Sequence, residues 1–138
     1  MKPRVLLVDD EASVLTILKS YLSRQGYEVH TASELEEAQA LLAHIDYSVV
    51  ISDLRMTAVH GAEGFELLAF AAQKRPSSRR VMLTGCLTSE VAREARARGA
   101  DVVLGKPTSL PDIARIVSEL SESARDSEPQ ITAGAGRS

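Results

Sequence analysis

The sequence lacks the features that membrane, disulfide-stabilised and nucleic-acid-binding proteins require. Its 138 residues include one cysteine, Cys86, and no tryptophan, and 4% are aromatic. A single cysteine excludes an internal disulfide, and no Cys/His spacing indicates a zinc site. The first apolar run, Val5–Val8, is too short for a signal peptide core or a membrane span. With 16 basic against 19 acidic residues, the net charge of −3 disfavours direct binding of nucleic-acid phosphates. We expect a soluble cytoplasmic domain that contacts neither membrane nor nucleic acid.

Two kinds of segment alternate along the chain. Short apolar, β-branched runs typical of strands in a parallel sheet occupy residues 5–8, 49–51, 81–83 and 102–104, and residues 28–32 are a weaker fifth candidate. Between and after them lie stretches with helical apolar spacing, among which Ser33 and Glu36 predict a capping box. This alternation predicts an α/β fold, with a parallel sheet that is covered by helices on both faces.

The composition changes near the end of the chain. From Ser121 onward Ser, Glu, Arg, Ala and Gly predominate, and no apolar stripe is present. Such a segment buries too little apolar surface to offset the entropy of ordering it. We therefore expect one domain over residues 1–120 and a flexible tail over residues 121–138.

Polar residues whose side chains can take part in catalysis or metal binding follow four of the five predicted strands. They are Asp9 and Asp10 after the first, Asp53 after the third, Thr84 after the fourth and Lys106 after the fifth. In an open α/β sheet, ligands bind beyond the carboxyl ends of the strands, so these residues are expected to meet at one edge. Clustered carboxylates repel each other, and a hard cation such as Mg²⁺ relieves that repulsion and suits phosphoryl transfer.

Each of these residues alone has a simpler explanation. Asp10 is a typical helix N-cap, Thr84 a turn residue and Lys106 a solvated surface lysine. The shared position at strand ends favours a common site. In it Asp53 would be the nucleophile, Asp9 and Asp10 would hold the metal, and Lys106 would be the counter-charge. The hydroxyl of Thr84 would donate to the new acyl phosphate.

Four motifs in this arrangement resemble the receiver domain of two-component response regulators. They occur in that family's order and lie at residues 8–11 (VDDE), 52–56 (SDLRM), 82–85 (MLTG) and 105–107 (GKP). The resemblance covers about residues 4–120 and implies a flavodoxin-like sheet of order 2-1-3-4-5 with five helices. It also implies a signalling domain and not an enzyme proper, one that acts through a downstream protein target.

The resemblance further implies roles for individual residues. Asp53 would accept a phosphoryl group from a histidine kinase or a histidine phosphotransfer protein. Mg²⁺ would be held by Asp10, Asp53 and the main-chain carbonyl of Arg55, while Asp9 acts through water. The bond between Lys106 and the following proline would be cis, as it is in that family.

The chain departs from the family pattern at two places. The family usually has Tyr or Phe three residues before the lysine, where this chain has Val103. The loop Thr57–Gly64 is longer than usual and lacks the common proline. We expect Val103 to weaken the coupling between phosphate and output face, because a β-branched side chain cannot exchange between exposed and buried positions as an aromatic ring does.

Two alternatives stay open. The segment Asp53–Thr57 partly matches the opening motif of haloacid-dehalogenase-type phosphatases. Those enzymes need a second aspartate two residues after the nucleophile as general acid, and this chain has Arg55 there. The other alternative is a receiver-like interaction module that works without phosphorylation. Val103 leaves it open, whereas the complete set of five site residues argues against it.

Overall fold

Five parallel strands form a single sheet of order β2-β1-β3-β4-β5, as predicted. The computed structural model describes residues 2–53 and 62–127. The elements alternate strictly along the chain: β1 Arg4–Asp9, α1 Ala12–Arg24, β2 Glu28–Ala32, α2 Leu35–His44, β3 Val49–Asp53, α3 Ala62–Lys74, β4 Arg79–Thr84, α4 Ser89–Ala97, β5 Val102–Gly105 and α5 Leu110–Ser127. No helix among the described residues is long and apolar enough to cross a membrane.

The continuous apolar runs are strands that are buried on both faces of the sheet. In β1, residues 5–8 are at most 1% exposed, and alternate side chains enter opposite cores. One core joins α1 and α5 to the sheet and the other joins α2 and α3, with a smaller cluster between α3 and α4. Because both faces of the sheet are covered, a ligand site is expected at the carboxyl ends of the central strands.

A side-chain cap fixes the start of α4, whereas α2 begins later than the sequence predicts. Thr88 caps α4, because its hydroxyl oxygen accepts from the Val91 amide at 3.1 Å. The capping box predicted at Ser33 and Glu36 is wrong. The N-cap of α2 is Glu34, and the Ser33 amide donates to the Glu37 carboxylate at 2.9 Å. The helix begins one residue later than expected, so the acidic residue that reaches back is also one residue later.

The last helix is longer than the sequence predicts. It continues to Ser127, so the boundary predicted at Ser121 is wrong for residues 121–127. Ser121 and Ala124 are each 4% exposed, and the Arg79 guanidinium donates to the Ser123 hydroxyl at 3.2 Å. These small side chains extend the buried stripe without the large apolar residues by which such stripes are detected. The rest of the predicted tail, residues 128–138, lies outside the described residues.

Removal of this last turn is expected to destabilise the domain. A chain ending at Glu122 loses the Arg79–Ser123 hydrogen bonds and the buried Ala124 methyl group. We expect a loss of about 1–2 kcal/mol in the free energy of unfolding relative to a chain ending at Ser127. Urea unfolding of the two proteins measures the difference. Equal midpoints and slopes would mean that the last turn contributes nothing to stability.

Candidate functional site

The parallel register of β1 and β3 brings two aspartates side by side. Asp9 and Asp53 are Cα partners and each is the last residue of its strand. Both are buried, at 2% and 4% exposure. The Lys106 ammonium reaches Asp53 Oδ1 at 2.7 Å from the end of β5. A buried carboxylate pair with one lysine is thus the centre of the site.

Two carboxylate oxygens at this centre have no hydrogen-bond partner among the described residues. They are Asp9 Oδ2 and Asp53 Oδ2. The other Asp9 oxygen, Oδ1, accepts from the Glu11 amide at 2.8 Å. Buried polar atoms are normally satisfied, since an unpaired one costs about 1–3 kcal/mol. Such unpaired carboxylate oxygens fit a hard divalent cation, which binds oxygen ligands.

The electrostatics of Asp9 and Asp53 also favour a bound cation. Burial and, to a smaller extent, the neighbouring Asp9 carboxyl raise the pKa of Asp53 to about 8, although the Lys106 ammonium opposes both. One positive charge is therefore not enough to keep both carboxylates ionised. A bound cation would restore the ionised form of Asp53, because it favours the negative charge that burial penalises.

Thr84 and Lys106 are held together at the ends of β4 and β5. The Lys106 amide donates to the Thr84 carbonyl at 2.8 Å, next to the Thr84–Gly105 pair of the ladder. The Thr84 hydroxyl is buried and accepts from the Cys86 amide at 3.0 Å, which leaves its own hydrogen free to rotate. The peptide bond between Lys106 and Pro107 is cis, as the family resemblance implies.

The predicted metal ligands are only partly brought together. Asp9 and Asp53 are adjacent, whereas Asp10 is exposed beyond the end of β1. Arg55, whose carbonyl was a predicted ligand, lies outside the described residues, as does most of the loop Thr57–Gly64. Within residues 2–53 and 62–127, no three His, Cys, Asp or Glu side chains form a metal-binding group.

An apolar cleft that the sequence analysis missed lies beside the site. Its volume is about 500 Å³, and its walls include Asp53, Lys106, Pro107, Val14 and Ile17. Ile17 is 55% exposed although it is large and apolar. The only sequence signal is that Ile17 falls on α1 outside the buried stripe, and a single exposed isoleucine is common on protein surfaces.

Val103 lies in the small core under α4 and not at the surface. It is 9% exposed and packs in a cluster with Leu68, Met82 and Ala95. The side chain is therefore already in an inward position, so it has no exposed state to leave. Its effect on coupling stays a prediction.

The raised pKa of Asp53 predicts a pH-dependent effect of Asp53→Asn on stability in metal-free protein. Between the ordinary value of 3.8 and the folded value of about 8, the folded protein holds a proton that the unfolded chain has released. Wild-type stability therefore falls as pH rises through this window, and the asparagine variant lacks that loss.

The advantage of Asp53→Asn is expected to grow from about pH 5 to pH 8, to exceed about 1 kcal/mol, and then to level off. Urea unfolding in the presence of a chelator measures it. Asp46→Asn is the matched control, because its side chain is 84% exposed. An advantage that is independent of pH would show that Asp53 is ionised throughout.

Comparisons with known proteins agree with this geometry. The family model of the response regulator receiver domain matches residues 5–118. The alginate biosynthesis transcriptional regulatory protein AlgB of Pseudomonas aeruginosa is 35% identical over 115 residues, which are 83% of this chain and 25% of AlgB. The chain thus spans about a quarter of the length of that curated relative.

Two solved structures have the same fold. A CheY-like receiver domain from Methanospirillum hungatei has a TM-score of 0.80 and 29% identity, and the match covers 91% of this chain and 99% of that one. A response regulator from Burkholderia pseudomallei, solved with a phosphorylated aspartic acid, a calcium ion and citrate, has a TM-score of 0.74 and 26% identity over 92% of this chain and 76% of that one. With its parallel sheet and its rim of Asp9, Asp53, Thr84 and Lys106, the chain belongs to the receiver domain family of two-component response regulators.

Proposed function

We propose that Asp53 is the phosphoacceptor of this receiver domain. The observation that carries the proposal is the buried Asp53 carboxylate, which is ion-paired to Lys106 at 2.7 Å and has one oxygen without a partner among the described residues. The Burkholderia pseudomallei response regulator, which shares the fold, was solved with a phosphorylated aspartic acid. That observation supports the same chemistry on the aspartate that ends β3 here.

The reaction is a transfer of one phosphoryl group from a phosphohistidine to Asp53. A carboxylate oxygen forms the new P–O bond, the N–P bond breaks, and its electron pair returns to the imidazole, which then takes up a proton. The attacking group must be ionised, so the site has to keep Asp53 deprotonated against the burial that raises its pKa to about 8. The ammonium of Lys106 contributes to this and then faces the charge of the acyl phosphate.

Thr84 is proposed to bind the phosphoryl group after transfer. Its hydroxyl oxygen accepts from the Cys86 amide, so the hydroxyl hydrogen is available to a phosphoryl oxygen. A hydrogen bond to a charged acceptor is stronger than one to a neutral acceptor. Because this hydrogen bond is stronger, the Thr84 side chain is expected to move towards the phosphoryl group.

Mg²⁺ is the proposed cofactor. When bound, it neutralises charge on the carboxylates and on the transferring phosphoryl oxygens. Asp53 and Asp10 would hold it together with the Arg55 carbonyl, and Asp9 would act through water. The unpaired Asp9 and Asp53 oxygens are the part of this ligand set that the described residues support.

A histidine kinase or histidine phosphotransfer protein is the proposed phosphodonor. Its imidazole has to approach Asp53 past α1 and the segment around Pro107, where the apolar cleft with exposed Ile17 offers a contact surface. A downstream protein target and a cytoplasmic location complete the proposal. Nucleic-acid contact is not assigned to this stretch, although the relative AlgB is named a transcriptional regulatory protein.

Phosphorylation is testable with a small phosphodonor. Incubation with acetyl phosphate and Mg²⁺ is expected to add one phosphoryl group, measured by intact-protein mass spectrometry. Asp53→Asn should abolish the gain, and Asp10→Asn should slow it at least about tenfold, because it removes a proposed metal ligand. Asp46→Asn, a matched change at an exposed aspartate remote from the site, should label at the wild-type rate.

Unchanged labelling of the Asp53→Asn protein would falsify the assignment. Absence of labelling in wild-type protein, with a retained fold and Mg²⁺ present, would favour the phosphorylation-independent interaction module instead. A circular dichroism spectrum of each variant checks that the fold is retained.

A further inference from the structure

A second cavity lies at the opposite end of the sheet from Asp53. Its volume is about 450 Å³, which is within the range of roughly 300–1,000 Å³ that is usual for small-ligand sites. Its walls come from the start of β1, the segment before β3, the turn between α3 and β4, and the last turns of α5. Parallel strands bring all their amino ends to this edge, so the cavity shares no residue with the phosphorylation site.

The walls of this cavity are basic, although the chain as a whole is acidic. Four lining residues are basic and one is acidic: Lys2, Arg4, Lys74, Arg75 and Asp46. The whole chain has a net charge of −3. A concave surface with an excess of positive charge concentrates the electric field inside the cavity and attracts anions.

Two of these basic groups are already paired, and two are not. Arg75 contacts Asp46 at 2.7 Å, and Arg4 contacts Glu28 at 3.3 Å. Neither Lys2 nor Lys74 has an ion pair or a side-chain hydrogen bond with any other residue in the part of the chain that the structure describes. Within the described part of the chain, the cavity therefore has two ammonium groups without an ion-pair partner.

The carbonyl end of α3 faces this region and, left bare, would repel an anion. The Arg75 carbonyl, which follows that helix, is covered by several donors. It accepts from the Ser78 amide at 3.0 Å, from the Ser78 hydroxyl at 2.7 Å and from the Arg80 guanidinium at 3.3 Å. These bonds satisfy the Arg75 carbonyl, and the hydroxyls of Ser48 and Ser77, which also line the cavity, have no hydrogen-bond partner among residues 2–53 and 62–127.

We propose that this basic cavity is a binding site for a small ligand with a pyrophosphate group, either inorganic or as part of a nucleotide. Two ammonium groups suit a ligand with at least two negative charges, and serine hydroxyls with the Arg75 guanidinium supply directional hydrogen bonds to phosphate oxygens. The concave shape excludes a long polyanion such as nucleic acid, whose backbone needs an extended basic surface.

Titration with inorganic pyrophosphate tests the site in chelator-treated protein. Calorimetry should give saturable binding that sodium chloride of equal ionic strength does not reproduce. Amide chemical shifts of isotope-labelled protein should change at Ser48, Ser77 and Ser78. ADP is the second probe, and tighter binding than pyrophosphate would identify the nucleotide as the ligand form.

Single substitutions distinguish binding in this cavity from non-specific electrostatic attraction of the anion to the protein. Lys74→Gln and Lys2→Gln should each weaken pyrophosphate binding about fivefold, the loss of one charged contact. Lys19→Gln is the matched control, because it removes the same charge from an exposed position on α1. Lys2 and Lys74 are exposed and make no ion pair among the described residues, so we expect their variants to fold, and unfolding curves check this.

Three results would overturn the proposal. They are absence of saturable binding, shifts confined to the rim around Thr84 and Lys106, and equal weakening by Lys19→Gln. Shifts at both ends of the sheet support it if only the Lys2 and Lys74 variants remove those at the serines.

Discussion

The register between β1 and β3 is the constraint on which the site depends. It sets Asp9 beside Asp53 at the ends of two strands that are buried on both faces. Because the strands are parallel, β4 and β5 deliver Thr84 and Lys106 to the same edge. A slip of one residue between β1 and β3 would separate Asp9 from Asp53 and turn the side chains of the slipped strand to the other face of the sheet. The hydrophobic cores on both faces thus hold the geometry of a polar site that contributes little to stability itself.

The arrangement of charges in this site lowers the stability of the folded protein. Two carboxylates are buried beside a single lysine, and one oxygen of each has no partner among the described residues. A protein selected only for folding would place apolar or amide side chains there. The unfavourable arrangement is useful because the missing positive charge is what a bound cation would supply. The apolar residues that surround the site provide the stability that it lacks.

The sequence predicted the architecture well because its strands are short, continuous and apolar. The site was predictable for a related reason: residues that follow such strands, Asp53 and Lys106 among them, share one edge by topology alone. The end of α5 was not predictable, since Ser121 and Ala124 are buried through their small size and not through hydrophobicity. The start of α2 was misplaced because Glu37, four residues after Ser33, reaches the Ser33 amide that the capping pattern assigns to Glu36.

The basic cavity escaped prediction for yet another reason. Its lysines come from segments more than 70 positions apart in the chain, and a scattered lysine is normally a solvated surface residue. Only the fold places Lys2 and Lys74 in the walls of one cavity. Charge patterns that depend on contacts between distant segments leave no periodic signal in the sequence.

The helix α5 extends from the cleft beside the phosphorylation site to the basic cavity. Its first turn, at Leu110, borders the cleft beside Lys106, and its last turns line the basic cavity through Ala124. Its 18 residues form a rod about 27 Å long, so a tilt of about 4° at one end displaces the other by about 2 Å. Hydrogen bonds from the Arg79 guanidinium to Ser123 attach the carboxyl-terminal part of α5 to the start of β4. Because α5 borders the cleft at one end and the basic cavity at the other, a small rotation of the helix would change the shape of both.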